Sequence, residues 1–262
     1  MELKNTIYIH ADDYGRSTAI SKKVIDCVDS GIVNSVSIML GSKLEVYEEI
    51  KKYKVKKKLH LNLTDFNVGE PVNNKILKNL TFVKLLFLKF ENKKVILSEI
   101  DRQILSYQKL FPNEPLAVDG HQHVQVIPWI YQHLVNKNKI KEIRLPDEKY
   151  FFGGVKSIFT LKLYRNLFAS MILKILIRFF LSEKKYSPSF SGMIYSGFYS
   201  EKIFRNNLSF LKHRSGAAEI AFHPGHTNKL EKHLFKPEFY RYYSSKNRLI
   251  EYDLIFKTNI FN

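Results

Sequence analysis

The stretch NTIYIHADDYG, residues 5–15, combines a predicted strand with two adjacent carboxylates. Its first seven residues are rich in β-branched and aromatic side chains and predict a short strand. This strand runs directly into Asp12 and Asp13. Side chains alternate across a strand, so adjacent aspartates at its end point in different directions. Two carboxylates this close repel unless a positive group lies between them or one is protonated. A helix cap before the amphipathic run at residues 17–30 is the simpler explanation, and this stretch alone leaves it open.

Strands and helices continue to alternate after this stretch. Further strands are predicted, with helices or loops between them, at NSVSIML, KKLHLNLT, PLAVDGHQH, IKEIRLPDE and AAEIAFHPGH. This order predicts an α/β fold of mostly parallel strands, in which functional groups gather at the carboxyl ends of the strands. No internal repeat or flexible linker interrupts the chain, so a single domain over residues 1–262 is expected.

The composition limits the classes of partner. Lysine and arginine total 42 against 25 acidic residues, which gives a net charge of +17 and favours acidic partners. No recognisable nucleic-acid-reading motif accompanies that charge, so no nucleic-acid partner is expected. The single cysteine, Cys27, excludes an internal disulfide and a CxxC metal site. The first ten residues, MELKNTIYIH, lack the pattern of a signal peptide, which predicts a cytoplasmic location.

Residues 155–181, VKSIFTLKLYRNLFASMILKILIRFFL, are unusually apolar and contain only basic charges. We expect a helical insertion at about residues 155–185. Its longest uncharged stretch, NLFASMIL, is far shorter than the roughly 20 residues of a membrane span. Two interpretations remain: a helix buried in the core or in a homodimer interface, or a helix lying peripherally on an anionic membrane, at its inner face.

Polar residues follow the predicted strands. They are Asp12, Asp13, His60, Asn62, Asp119, His121, His123, Arg144, Glu148, His223 and His226. Five of the nine histidines lie at such strand ends, and no other region of the sequence is comparably rich in histidine. Carboxylate and imidazole groups are ligands of catalytic divalent metals, and three protein ligands leave a position open for water. A cation would also offset the repulsion between the two aspartates. The pattern therefore predicts a hydrolytic metal site, against the alternative of ordinary surface and turn histidines.

Five blocks resemble, in order, those of the YdjC family of chitooligosaccharide deacetylases and their relatives. The blocks are ADDYGRSTAISKKVIDCVDSGIVNSVSIML, LHLNLT, VDGHQHVQVIPWIY, EIRLPDE and AFHPGH, and they extend from about residue 6 to residue 226. The resemblance implies a distorted (β/α) barrel similar to the polysaccharide deacetylases. It also implies one divalent cation, commonly Mg²⁺, although imidazole ligands suit Zn²⁺, Mn²⁺ or Co²⁺ better.

The resemblance also implies roles for individual residues. Asp13, His60 and His121 would hold the metal, Asp12 would be the general base, and His223 would be the general acid. The implied reaction is hydrolysis of an N-acetyl group on an amino sugar or oligosaccharide by metal-activated water.

Other strand-end residues would act on the substrate or on the catalytic groups. Arg144 would orient the catalytic aspartate or hold substrate, and His123, Asn62 and Glu148 would contact substrate. Residues 67–90, rich in lysine and phenylalanine, and the apolar residues 155–181 depart from the family pattern. They leave open a lipid-linked sugar or glycolipid substrate at the membrane surface.

Overall fold

A computed structural model describes residues 6–66, 80–181, 185–214 and 216–257. Seven parallel strands form one sheet in the order β5-β4-β3-β2-β1-β7-β6. The strands are β1 (Ile7–Tyr14), β2 (Ser35–Ile38), β3 (Lys56–Leu61), β4 (Leu116–Gly120), β5 (Ile140–Ile143), β6 (Ser189–Ser191) and β7 (Ala218–Phe222). The sheet curls into a distorted barrel, and a parallel bridge from Glu142 to Tyr186 links β5 to the segment that enters β6. The expected α/β barrel is thereby confirmed.

Helices pack around the outside of the sheet and connect its strands. They are α1 (Thr18–Asp29), α2 (Leu44–Lys51), α3 (Phe82–Leu86), α4 (Phe90–Leu110), α5 (Pro128–Val135), α6 (Val155–Ile158), α7 (Leu161–Phe180), α8 (Glu201–Lys212), α9 (Pro237–Tyr243) and α10 (Lys246–Lys257). Short 3₁₀ helices occupy His121–Val126 and Lys229–Leu234. Within the described ranges, no helix combines the length and the apolar character needed to cross a bilayer.

The predicted strands lie at the expected positions, and the differences are local. Strand β6 was not predicted, because its three residues, between Pro188 and Gly192, are too few to show a strand pattern. The predicted apolar helix is present but divided at Phe159 and Thr160 into α6 and α7. Of the lysine- and phenylalanine-rich segment, residues 67–79 lie outside the described residues.

The two aspartates do not cap the first helix. The N-cap of α1 is Ser17, whose hydroxyl accepts a hydrogen bond from the Ile20 N–H. The helix-cap explanation of Asp12 and Asp13 is therefore wrong. Asp13 has a left-handed φ of 68°, a conformation in which aspartate is enriched among non-glycine residues. Gly15 follows with φ 89°, and a Cβ there would lie 2.2 Å from the Met39 carbonyl oxygen. This tight turn fixes both carboxylates at the end of β1.

Candidate active site

Three buried side chains from different strands meet at one end of the barrel. Asp13 belongs to β1, His60 to β3, and His121 directly follows β4. Asp13 Oδ1 lies 3.3 Å from His60 Nε2 and 3.2 Å from His121 Nδ1. Ligand atoms bound at about 2.0–2.2 Å to one ion are themselves roughly 3–3.5 Å apart. The structure thus brings together the three expected metal ligands, and their spacing fits one divalent cation.

The surroundings of this triad also fit a cation. His60 Nδ1 donates a hydrogen bond of 2.7 Å to Asp119, which leaves Nε2 to face Asp13. Metal-binding histidines are commonly oriented by such a carboxylate. Burial opposes a charge on the His60 ring, but Asp119 and Asp13 outweigh it and raise the His60 pKa to about 10. Asp13 Oδ2 and His121 Nε2 are buried without a hydrogen-bond partner among the described residues. The site therefore favours positive charge, and two of its ligand atoms make no hydrogen bond among the described residues.

A second group of buried acids and imidazole lies deeper in the barrel, and its charges are already compensated. It consists of His10, Asp12 and Asp119. His10 Nε2 lies 2.7 Å from the Ser37 hydroxyl, which also donates to Asp119. Both carboxylates pair with the guanidinium of Arg144. Since Arg144 supplies the positive charge here, the cation site is better assigned to Asp13, His60 and His121.

Arg144 forms ion pairs with three carboxylates in the interior of the barrel. Its Nη1 and Nη2 donate to the two oxygens of Asp12 at 3.0 Å, and Nη2 also lies 2.8 Å from Asp119. Its Nε donates to Glu219 at 2.6 Å. Burial by itself would raise the pKa of Asp12, but Arg144 holds that pKa well below its usual value. Asp12 is therefore an ionised carboxylate that Arg144 holds in a fixed orientation.

Replacing Arg144 with methionine should strongly destabilise the fold. The change leaves Asp12, Asp119 and Glu219 buried without their shared cation. Breaking a buried ion pair by removing one partner typically costs about 3–5 kcal/mol. Urea unfolding of Arg144→Met should show a loss of this size. The exposed Arg102, paired with Glu99, provides the control Arg102→Met, which should change stability by less than about 1 kcal/mol. Equal losses in the two variants would contradict the assigned role of Arg144.

His223 lies between two carboxylates at the end of β7. Its Nε2 is 3.5 Å from Asp12 Oδ2, and its Nδ1 is 3.6 Å from Glu251 Oε2. The backbone N–H of His223 donates to the same Glu251 oxygen at 2.7 Å. Burial would raise the pKa of Glu251, but the contacts with His223 and Arg248 lower it to about 2. Glu251, from α10, thus holds the His223 backbone, while Nδ1 has no hydrogen-bond partner within the described residues and Nε2 faces Asp12 and the cavity.

Glu251→Gln should reduce kcat and leave KM nearly unchanged, because Glu251 positions His223 without lining the cavity. The loss should be part of the ~10²–10⁴-fold that a positioned proton donor contributes. A depressed pKa adds stability above the usual value of 4.5 that is lost as the pH falls towards 2. Acid unfolding of Glu251→Gln should therefore begin from lower stability and depend less on pH between 4.5 and 2. An unchanged acid profile together with unchanged kcat would refute this role.

The triad and its neighbours open onto a cavity of about 740 Å³, within the range of small-molecule sites. Asp12, His60, His121 and His223 line its floor, and its walls include the aromatic residues Phe190, Phe239 and Tyr242. His123 also lines the cavity and packs edge-on against Phe190. Burial and the nearby Arg144 lower the pKa of His123 to about 3, so its ring is neutral. Its Nδ1 is buried and lacks a hydrogen-bond partner within the described part of the chain.

Two residues expected to contact substrate occupy other places. The Asn62 side chain accepts from the backbone N–H groups of Thr64 and Asp65 and donates to the Asp65 carbonyl. Glu148 accepts from Ser191 and from three backbone N–H groups at residues 192–194. Neither lines the cavity. We therefore revise both interpretations: these side chains fix the loops that frame the site, and their polar groups are satisfied there.

The structure adds two residues to which the sequence assigned no role. Asp119 was recognised only as a strand-end carboxylate, and its hydrogen bond to His60 depends on the pairing of β3 with β4. Glu251 lies 28 residues after His223 in a helix with no strand-end pattern. The strand-end pattern that indicated the other residues therefore does not indicate Glu251.

The fold and the site define an α/β-barrel protein with a candidate divalent-metal centre at the carboxyl ends of its strands. Comparison with known families assigns it further. The family model described as "YdjC-like protein" matches residues 6–260, and the chain belongs to that family.

Relatives of this chain include proteins named carbohydrate deacetylase. Those of Xenopus laevis and Homo sapiens are each 24% identical to it, over 160 and 161 residues. The matches cover 54% and 55% of this chain, and 51% and 49% of those relatives. The chain thus matches about half the length of these proteins. A solved structure from Enterococcus faecalis, described as a cellobiose-phosphate cleavage protein, shares the fold. It has a TM-score of 0.65 at 17% identity and covers 96% of this chain and 90% of its own.

Proposed function

We propose that the protein hydrolyses the N-acetyl group of an amino sugar or oligosaccharide, using one divalent cation held by Asp13, His60 and His121. The observation that carries this proposal is the meeting of these three buried ligands beside the Arg144-bound Asp12. The cavity above them has a size suited to a small sugar. The relatives named carbohydrate deacetylase support the choice of the N-acetyl group as the reacting group.

A divalent cation here would supply Lewis-acid polarisation of the amide carbonyl and would lower the pKa of water towards neutrality. The ligand set of one carboxylate and two imidazoles favours Zn²⁺, Mn²⁺ or Co²⁺ over the Mg²⁺ that the family resemblance implies. Asp119 would fix the His60 tautomer for ligation through the hydrogen bond to Nδ1.

The chain's own groups would move the protons. Asp12 faces the cavity as a carboxylate with a low pKa, so it accepts a proton only from water that has itself been made acidic. Arg144 keeps this carboxylate aimed at the cavity through the whole reaction. His223, held from behind by Glu251, would deliver a proton from Nε2 to the departing amine.

Substrate would be positioned by the remaining cavity residues. The neutral His123 ring lines the cavity and would contact the bound sugar there. Phe190, Phe239 and Tyr242 offer aromatic faces on which the C–H side of a pyranose ring can pack.

An acetate-release assay tests the proposal. Protein treated with a chelator and dialysed should release no acetate from N-acetylglucosamine or N,N′-diacetylchitobiose. Addition of Zn²⁺, Mn²⁺, Co²⁺ or Mg²⁺ in turn should restore release with at least one of them. Release that persists after metal removal would overturn the metal requirement. Absence of release with every metal on a panel of N-acetylated sugars would overturn the reaction.

A further inference from the structure

Helix α7 is apolar on two opposite faces. Its inner face is buried and includes Leu163, Leu173, Leu176 and Ile177. Its outer face comprises Leu161, Tyr164, Phe168, Met171, Ile172, Ile175 and Phe179, which are 37–86% exposed. Burial in the core explains only the first face. Contiguous exposed apolar surface of this kind marks an interaction site in a folded protein.

The outer face forms one continuous stripe. Apart from the neighbouring Met171 and Ile172, its members follow one another at intervals of three or four residues, so they stack along one side of the helix. From Leu161 to Phe179 the stripe is about 27 Å long, at ~1.5 Å per residue. Lys162, Arg165, Lys174 and Arg178 lie on the same helix, outside the stripe. No acidic residue occurs between Glu148 and Glu183.

This helix stands at the entrance of the cavity. Arg165 and Asn166 line the cavity, and the Asn166 amide fixes the helix by donating to the carbonyls of Ile194 (3.1 Å) and Ser196 (3.3 Å). Helix α3 reaches the same cavity through Lys84. Exposed apolar side chains accompany α3 as well: Val83, Phe87 and Phe90 are 63–78% exposed. Large apolar groups therefore lie outside the cavity on α7 and on and just after α3.

The basic residues of α7 distinguish between two partners for its outer face, a second copy of the chain and an anionic bilayer. In a symmetric contact between two copies, the cations that flank the stripe of one α7, Arg165 and Arg178, would lie close to those of the other, and the helix carries no acidic residue to pair with them. An anionic bilayer satisfies both properties, because acyl chains accept the apolar stripe and headgroups neutralise the cations. The net charge of +17 also favours binding to an anionic bilayer.

We propose that the outer face of α7, with Val83, Phe87 and Phe90, docks the protein on an anionic lipid bilayer. The cavity would then receive an N-acetylated amino sugar carried by a membrane lipid. Docking is independent of the chemistry, whereas the identity of the substrate rests on the proposed function. Such a helix lies in the plane of the interface, with its apolar side at the level of the upper acyl chains.

Vesicle flotation tests the docking. Wild-type protein should float with vesicles of equal parts phosphatidylglycerol and phosphatidylcholine, and less with phosphatidylcholine alone. Phe168→Glu/Phe179→Glu should weaken that binding by at least about 100-fold, because two buried phenyl rings are lost. The control Leu44→Glu/Leu105→Glu alters two comparably exposed leucines on α2 and α4 and should float as the wild type does. Lys174→Gln/Arg178→Gln should lose roughly fivefold per cation removed.

Three results would overturn the docking proposal. One is wild-type protein that does not float with the anionic vesicles. Another is equal flotation of wild type and Phe168→Glu/Phe179→Glu. The third is a wild-type dimer in sedimentation velocity that this variant dissociates while the wild type does not float, which would assign the outer face of α7 to self-association.

Acetate release separates the substrate proposal from the proposed function. Wild type and Phe168→Glu/Phe179→Glu should act equally on soluble N,N′-diacetylchitobiose. Only the wild type should act efficiently on N-acetylglucosaminyl diacylglycerol in the anionic vesicles. Equal rates of the two proteins on the vesicle substrate would overturn the lipid-linked substrate and leave the deacetylase proposal intact. Inactivity of both proteins on every sugar would instead count against the proposed function, whatever the flotation shows.

Discussion

Asp13→Asn is expected to lose its bound divalent cation and nearly all acetate release. Asparagine keeps the size of the side chain and tolerates the left-handed φ of 68°, so the turn at the end of β1 should survive. What disappears is the carboxylate that both His60 and His121 face. The loss of activity should be at least as large as the ~10²–10³-fold that follows removal of one oxyanion-stabilising group.

The matched control is Asp101→Asn, which makes the same chemical change in a half-exposed aspartate on α4. Asp101 pairs with His133 and Lys137 and does not line the cavity. Its variant should keep full metal content, measured by inductively coupled plasma mass spectrometry, and full activity. Asp13→Asn protein that keeps stoichiometric metal and wild-type activity would remove Asp13 from the metal site.

Asp12→Asn is expected to separate catalysis from metal binding. Asp12 is held by Arg144 and His10, and within the described residues it makes no hydrogen bond or ion pair with any of the three metal ligands. The variant should therefore keep its metal and lose the contribution of a positioned proton acceptor, about 10²–10⁴-fold in kcat. Metal analysis and acetate release on the same preparation measure both quantities.

Two outcomes would change the assignment of Asp12. Loss of metal in Asp12→Asn, with retention in Asp13→Asn, would exchange the roles of the two aspartates. Full activity with full metal content would mean that neither Asp12 nor its pairing with Arg144 takes part in proton transfer. A thermal unfolding scan ensures that the variant is folded, because asparagine offers Arg144 one acceptor fewer than aspartate.

The strand ends are predictable from the sequence, because each is marked by an apolar run that stops at polar residues. That signal marks Asp13, His60 and His121 among other strand-end residues, and the resemblance to the YdjC family singles these three out. Parallel strands necessarily place their carboxyl ends at one side of the barrel. Side-chain alternation also explains why Asp12 points to the interior while Asp13, at the irregular end of β1, turns towards the histidines.

The remainder depends on contacts between distant segments. The interior of the barrel contains buried ion pairs such as Lys58 with Glu142. In the sequence these two residues look like ordinary strand residues, so the pair could not be predicted. Asn62 and Glu148 were misinterpreted because a polar loop residue that binds backbone looks, in sequence, like one that binds ligand. The two-faced character of α7 likewise became interpretable only when one of its apolar faces was found buried.

Crystals of metal-loaded protein, with anomalous diffraction recorded at the absorption edge of that metal, test the central claim most directly. We expect one anomalous peak at bonding distance from Asp13, His60 and His121, with Asp119 still hydrogen-bonded to His60. A peak among His10, Asp12 and Asp119, or no peak at the end of the barrel in protein that releases acetate, would contradict it.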